Sequence, residues 1–250
     1  MAEILFALWC FLVALAGGLV GLVLGNIRLP ATLLLASSVA AGTGANLIIS
    51  AAAAAAAAIA HIRAGRVNWR LFAWMAPPSV VAALLGGYLS GLMPRDALLV
   101  AIAAVLLYSG VDLLRWTPPR RDPAGPAAER LDIRAAVASG AVIGFLGGVV
   151  GLILGTLRVP ALLKLVGETP SRVAGTNLTV GICVGVAGAI GHLPSEAPDW
   201  DLAALGAAAS IPGALLGARL TGRLSEVQLV RTIAWLLLVV GTVTAVQAVT

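Results

Sequence analysis

Apolar residues occur in runs of up to about twenty, with short links of charged residues, proline or glycine between them. In the first half of the chain these runs cover residues 4–25, 47–62, 71–92 and 97–114. An α-helix rises 1.5 Å per residue, so about twenty residues cross a hydrocarbon core of roughly 30 Å. The pattern predicts an all-α polytopic membrane protein. A shorter run at residues 31–41 covers little more than half of that thickness, which indicates a broken or re-entrant segment.

One stretch occurs twice. The sequence GLVLGNIRLP at residues 21–30 returns as GLILGTLRVP at residues 151–160. Proline has a fixed φ and no N–H, so it suits the first turn of a helix and interrupts a running one. We therefore predict a helix that ends near Gly25, an irregular link carrying Arg28, and a new helix from Pro30. The second copy predicts an equivalent helix end near Gly155 and an irregular link carrying Arg158. Residues 42–46 predict a further break in the helix that contains them.

The second half repeats the first well beyond this stretch. With one residue inserted, residues 44–47 align with 175–178, His61 with His192, and Trp69 with Trp200. Duplicated units with interrupted helices are typical of secondary transporters. We predict two homologous repeats, residues 1–116 and 134–250, joined by a cytoplasmic linker at 117–133. Together they would contain about eight transmembrane helices plus the short broken or re-entrant segments.

Loop charges indicate that the two repeats are inverted. The loop after the alanine-rich run carries three basic residues and no acid, whereas its counterpart carries three acids and no base: Arg63, Arg66 and Arg70 against Glu196, Asp199 and Asp201. Positive loops stay in the cytoplasm, so the two loops should lie on opposite sides of the membrane. Inversion needs an odd number of crossings in each half, while hydropathy gives four. Whether the number of crossings in each half is odd depends on whether residues 31–41 cross the membrane.

Composition narrows the class of protein. Of the 250 residues 60% are hydrophobic and 11% charged, with a mean hydropathy of +1.02, which excludes a soluble domain. The net charge of +5 is best explained by arginines in cytoplasmic loops, so we expect a lipid bilayer as partner and no nucleic acid. The chain contains no metal-ligand cluster and no catalytic motif, so we predict no enzyme activity, no cofactor and no metal.

Arg28 and Arg158 are the strongest candidates for a substrate site. An arginine at membrane depth costs at least a few kcal/mol, so it is normally paired or functional, and neither has an acid close in sequence. The planar guanidinium of arginine can donate two parallel hydrogen bonds to two oxygens on one face of an anion. We predict that both arginines face each other and line one anion pathway. The remaining predicted substrate-binding residues are Asn46, Asn177, Gly25, Gly155 and Thr176. The alternative places both arginines at the membrane interface.

The two histidines, His61 and His192, occupy equivalent positions at the ends of their apolar runs. Either they carry a coupling proton or they are interfacial, and their place beside loop residues favours the interfacial role. Lys164 and Glu168 are one helical turn apart and predict an ion pair.

The repeated pattern resembles a known family. The pattern occurs twice and consists of a glycine followed by Arg-x-Pro, a Gly-Thr-Asn-Leu-like segment, a histidine and a tryptophan. In this it is similar to the sequences of the TauE/SafE sulfite exporters, of the toluene sulfonate uptake permease type. The family commonly has three successive glycines before the arginine, where this chain has Val23, Leu24 and Gly25.

The resemblance implies a multi-pass protein of a bacterial or archaeal plasma membrane. It would export small sulfur-containing or organic anions such as sulfite or sulfonates. An anion channel of the same fold is the alternative. Coupling to protons or another ion, and the oligomeric state, stay open.

Overall fold

The computed structural model describes residues 1–89, 95–117, 132–150, 152–192 and 197–248. These residues form ten α-helices and no strand. The helices are α1 Ala2–Val20, α2 Gly25–Leu35, α3 Val39–Arg63, α4 Trp69–Tyr88, α5 Arg95–Leu114, α6 Ile133–Val150, α7 Gly155–Ala161, α8 Pro170–His192, α9 Trp200–Leu220 and α10 Glu226–Gln247. A π-helical segment, Leu162–Val166, continues α7.

Seven of these helices are long and apolar enough to cross a membrane: α1, α3, α4, α5, α6, α9 and α10. At 1.5 Å per residue the 23-residue α8 also has the necessary length. The prediction of an all-helical polytopic membrane protein is confirmed. The two remaining α-helices, α2 and α7, are the short segments that follow the repeated breaks.

The first break lies earlier than the sequence pattern predicted. Gly21 has a φ of 74°, a left-handed conformation that glycine adopts without strain, and it caps α1 at Val20. The irregular link is therefore residues 21–24, and α2 begins at Gly25. Arg28 lies inside α2, so the prediction of a link carrying this arginine was wrong. Arg158 likewise lies inside α7.

Pro30 is within α2, and the prediction that a helix begins there was also wrong. Because proline has no N–H, the carbonyl of Asn26 one turn earlier loses its helical donor. The side chain of Gln247 in α10 supplies a replacement, with its Nε2 donating to that carbonyl at 3.3 Å. The proline inside α2 is tolerated because a neighbouring helix satisfies the freed oxygen.

The predicted break at residues 42–46 does not occur. Ser38 caps α3, its hydroxyl accepting from the Ala41 N–H at 3.1 Å, and the interruption lies at residues 36–38. The helix then continues without interruption to Arg63. Its counterpart α8 likewise runs through residues 175–178. The glycines of these segments allow close approach of other chain segments instead: a Cβ on Gly175 would lie 2.1 Å from the Arg66 carbonyl oxygen.

Two helix pairs pack through glycines. A Cβ on Gly217 of α9 would lie 2.0 Å from the carbonyl oxygen of Leu15 in α1, and one on Gly148 of α6 would lie 2.2 Å from that of Ala83 in α4. Such contacts need small residues because the backbones nearly touch. Under the predicted alignment α1 corresponds to α6 and α9 to α4. Each pair is therefore the counterpart of the other.

The central helices α3 and α8 run antiparallel. Residues 197–199 follow α8 and contact the beginning of α3, where the Asp199 N–H donates to the Ala41 carbonyl at 3.2 Å. Residues 64–68 follow α3 and contact the beginning of α8, where the Asn68 N–H donates to Thr176 Oγ1 at 3.0 Å. The two equivalent loops thus lie at opposite ends of α3. An inverted repeat would give this arrangement, although the repeat and its boundaries stay predictions. Glu196 and residues 118–131 of the linker lie outside the described residues.

Candidate functional site

Arg28 is buried between α2 and α3, with 2% of its surface exposed. Its Nε donates to Asn46 Oδ1 at 2.9 Å. Its Nη2 donates to the Asn46 carbonyl at 3.2 Å and to Ser50 Oγ. Asn46 and Ser50 are one turn apart on α3, so both face α2. Three oxygens of one helix face therefore hold this guanidinium in place.

Arg158 is completely buried between α7 and α8 and has fewer partners. Its Nη1 donates to Asn177 Oδ1 at 3.0 Å. Its Nε and Nη2 have no hydrogen-bond partner among the described residues. A buried donor without a partner carries a desolvation penalty, which is larger on a charged group.

Neither arginine contacts a carboxylate in the part of the chain that the structure describes, where Lys164 forms an ion pair with Asp112. Both side chains are buried inside the protein, so the alternative of two exposed interfacial arginines was wrong. Two buried positive charges without a carboxylate are unfavourable unless something else compensates them.

Asn177 connects the second arginine to the break of the first half. Its Nδ2 donates to the carbonyl of Gly21 at 2.7 Å, across the two halves. Asn46 donates instead within its own half, to the Gly25 carbonyl at 3.3 Å. Beside α8, a Cβ on Gly181 would lie 3.7 Å from Cγ2 of both Val23 and Ile153, one from each break. The two breaks therefore approach each other next to Arg158.

Gly25 and Gly155 begin α2 and α7 and pack against the asparagines. A Cβ on Gly155 would lie 2.9 Å from Asn177 Nδ2, and one on Gly25 would lie 3.3 Å from Asn46 Nδ2 and 2.8 Å from Ser50 Oγ. Any side chain at these positions would displace the groups that hold the arginines. The repeated glycines are thus required by packing at the site.

A cavity of about 10 Å³ lies beside Arg28. Its walls include the break of α1 and the alanines of α3, among them Gly18, Val23, Ala54 and Ala57. A second cavity of about 10 Å³ lies at the counterpart position, lined by Ile153 and Gly185. Each has room for about one water molecule. An anion of several heavy atoms would not fit in either cavity unless the surrounding helices moved.

The other predicted residues lie elsewhere. Thr176 Oγ1 accepts from Asn68 at the start of α4 and is not among the partners of Arg158. His61 is completely buried, with Nε2 at 3.3 Å from the Gly18 carbonyl and Nδ1 without a partner among the described residues. The protein therefore encloses His61 near the end of α3, and its interfacial role stays a prediction. The side chain of His192 lies outside the described residues.

The predicted ion pair between Lys164 and Glu168 was also wrong. Lys164 pairs with Asp112 of α5. Glu168 is buried and accepts from Asn68 Nδ2 and from the Thr169 N–H. Sequence reasoning also missed Ser50. Its spacing of four residues from Asn46 was the available signal.

Comparison with known proteins agrees with the helical architecture. The family described as Sulfite exporter TauE/SafE matches residues 6–244. The Probable membrane transporter protein YunE of Bacillus subtilis (strain 168) is 22% identical, covering 96% of this chain and 94% of the relative. The Probable membrane transporter protein YjnA of the same strain is 25% identical, covering 90% of this chain and 94% of the relative. No solved structure matches significantly.

The family match extends over nearly the whole chain, including both breaks and both arginines. Together with the candidate spans it establishes a multi-pass membrane protein and a membrane transporter. The plasma membrane is the compartment that its bacterial relatives indicate. The chain belongs to the TauE/SafE sulfite exporter family.

Proposed function

We propose that the protein moves small sulfur-containing or organic anions, such as sulfite or sulfonates, outward across the plasma membrane. The substrate would bind between the two helix breaks, where Arg28 and Arg158 supply positive charge. The observation that carries this proposal is the buried guanidinium of Arg158, which has two donors free and contacts no carboxylate among the described residues.

The electrostatics of the site favour an anion over a cation or a neutral solute. Two buried guanidiniums repel any cation, and even at an effective dielectric constant near 20 a unit charge at 4 Å changes the energy by about 4 kcal/mol. An anion offsets the buried positive charge and also satisfies donors that the protein leaves unpaired. Arginine is suited to this because its donors match the oxygens of carboxylate and sulfonate groups.

The breaks provide a route to movement. Discontinuous helices near the middle of a transporter bind substrate and change conformation as access alternates. In this chain the breaks at residues 21–24 and 152–154 border the two small cavities. We infer that opening one cavity at a time exposes the site to one side of the membrane.

Flux measurements in proteoliposomes test the proposal. Purified protein is reconstituted and exposed to a panel of sulfite, methanesulfonate, sulfoacetate and a cation control. A carrier gives saturable uptake that is accelerated by the same anion on the opposite side. An anion channel, the alternative, gives a current that rises linearly with concentration and shows no counterflow. If no anion of the panel crosses faster than in empty liposomes, the proposal is wrong.

A further inference from the structure

The two arginines differ in how their donors are used. In a guanidinium, Nε–H and one N–H of Nη2 point side by side and form a fork for two oxygens. On Arg28 this fork is filled, by Asn46 Oδ1 on Nε and by Ser50 Oγ and the Asn46 carbonyl on Nη2. On Arg158 both atoms of the fork are buried and without a partner among the described residues.

The sequence supplies a cause for the difference. Ser50 lies four residues after Asn46, one helical turn along α3. The residue four positions after Asn177, one turn along α8, is Gly181. Glycine offers no side-chain oxygen to a guanidinium. The hydroxyl that accepts from Nη2 of Arg28 therefore has no equivalent beside Arg158. Nε of Arg158 is open as well, because Asn177 Oδ1 accepts from Nη1, whereas Asn46 Oδ1 accepts from Nε of Arg28.

We propose that Arg158 is the residue that binds the transported anion directly, through Nε and Nη2, and that Gly181 keeps this fork open. Arg28 is a positioning residue whose charge contributes from a fixed place, because protein oxygens already fill its fork. The ligand is an oxyanion with two oxygens on one face, as in sulfite, a sulfonate or a carboxylate. This inference rests on the proposed function and assigns the contact within it.

The oxygens around Arg28 indicate how the ligand would bind. An amide oxygen and a hydroxyl oxygen face the fork of Arg28. Two oxygens of an anion would take the same places on Arg158 and add a charge that the neutral protein groups lack. Charge-assisted hydrogen bonds are about twice as strong as neutral ones. The anion is thus the better partner for the fork of Arg158, which has no partner among the described residues.

A pair of substitutions at Gly181 tests the inference. Gly181→Ser adds a hydroxyl at the position that the predicted alignment pairs with Ser50, one turn after Asn177, whereas Gly181→Ala adds the same Cβ without an oxygen. A Cβ fits there, since its nearest neighbours would be 3.7 Å away. We expect Gly181→Ser to weaken the binding of sulfite and methanesulfonate to purified protein roughly tenfold, because one donor of Arg158 is taken. Gly181→Ala should bind like the wild type.

A second pair of substitutions compares the two arginines directly. Lysine keeps the charge and removes the fork. Arg158→Lys should raise the Kd for sulfite by roughly 10- to 100-fold, while Arg28→Lys should change it much less, with the melting temperature without anion reporting whether each variant is folded. Equal losses in both lysine variants would overturn the inference, as would a folded Gly181→Ser that binds as tightly as Gly181→Ala.

Anion binding by the wild type distinguishes a failure of the proposed function from a failure of the assignment to Arg158. If the wild type binds none of the anions, the proposed function fails and the assignment falls with it. If the wild type binds sulfite and Gly181→Ser binds it equally well, the transporter function stands and only the assignment to the Arg158 fork is wrong.

Discussion

At the residue scale, the site depends on how a buried guanidinium is satisfied. Arg28 has three protein acceptors and no charged partner among the described residues, so each hydrogen bond offsets part of its desolvation. Removing an acceptor leaves a charged donor unsatisfied. Such a change costs more than the hydrogen bond itself would contribute to stability.

Asn46→Ala should therefore lower the free energy of unfolding by about 1.5–3 kcal/mol, because Nε of Arg28 loses its acceptor. Denaturant unfolding in detergent measures the change. Thr242→Ala is the matched control, since it removes a hydroxyl bond, to the Leu238 carbonyl, on an exposed surface. An equal, small effect of both substitutions would contradict the structural role of Asn46.

Gly155→Ala tests the packing that holds the second arginine. Its Cβ would lie 2.9 Å from Asn177 Nδ2, so the amide must move and Nη1 of Arg158 loses its acceptor geometry. We expect weaker sulfite binding and a lower melting temperature. The same substitution at Gly181, where a Cβ meets ordinary contact distances, is the control. Wild-type binding in Gly155→Ala would show that Asn177 does not position Arg158.

The sequence predicted which residues lie next to each arginine, but not the difference between the two arginines. The duplication identified both arginines, both asparagines and both glycines, and the structure places each arginine against its own asparagine. Ser50 was missed because it has no counterpart in the second half. A comparison of the two halves points only to residues that both halves contain. Ser50 and Gly181 occupy aligned positions but differ, so neither was selected.

At the scale of elements, glycines determine how closely the helices pack. Small residues let backbones approach in a membrane, where apolar side chains gain little by leaving lipid. α1 packs on α9 and α4 on α6 at distances that leave no room for a side chain. These contacts hold the helices that precede each break.

Gly217→Ala should separate α1 from α9, because its Cβ would lie 2.0 Å from the Leu15 carbonyl oxygen and 2.7 Å from the Leu19 nitrogen. Backbone atoms cannot move aside as side chains do, so we expect a loss of about 1–3 kcal/mol in stability. Gly188→Ala is the control, since a Cβ on this residue of α8 meets nothing within 4 Å. A thermal melt in detergent compares them, and matching melting temperatures would refute the close packing.

The number of long helices could be predicted from the sequence, but the positions of the breaks could not. Hydropathy alone finds apolar runs, and the structure has helices in each of them. The breaks were assigned to the residues that usually interrupt helices, proline and the later glycines. In the structure Gln247 satisfies the carbonyl that Pro30 frees, and Gly21 takes the left-handed conformation. Both are tertiary effects that a local pattern does not contain.

At the scale of the whole molecule, two pairs of helices that the predicted alignment makes equivalent run in opposite directions. α3 and α8 are antiparallel, and so are α5 and α10: Gly110 contacts Leu238, and Gly241 contacts Leu107. A two-fold axis lying in the membrane plane relates helices in this way. The reversal of loop charges found in the sequence indicates the same relation.

Labelling tests the predicted inversion. Single cysteines at Ala64 and Ala197, both exposed, are introduced after Cys10 and Cys183 are replaced. A membrane-impermeant maleimide should reach residue 64 from the cytoplasmic side and residue 197 from the outside, because the loop with three arginines stays inside. Labelling of both positions from one side would exclude an inverted repeat.

In the proposed mechanism Arg158, buried in the short helix that follows the second break, binds the transported anion. The most direct test is the uptake of radiolabelled sulfite into proteoliposomes containing the wild type or Arg158→Ala, with equal amounts of folded protein in each. We predict saturable uptake by the wild type that unlabelled methanesulfonate inhibits, and uptake by Arg158→Ala no faster than in empty liposomes. Uptake by Arg158→Ala at the wild-type rate would contradict the claim.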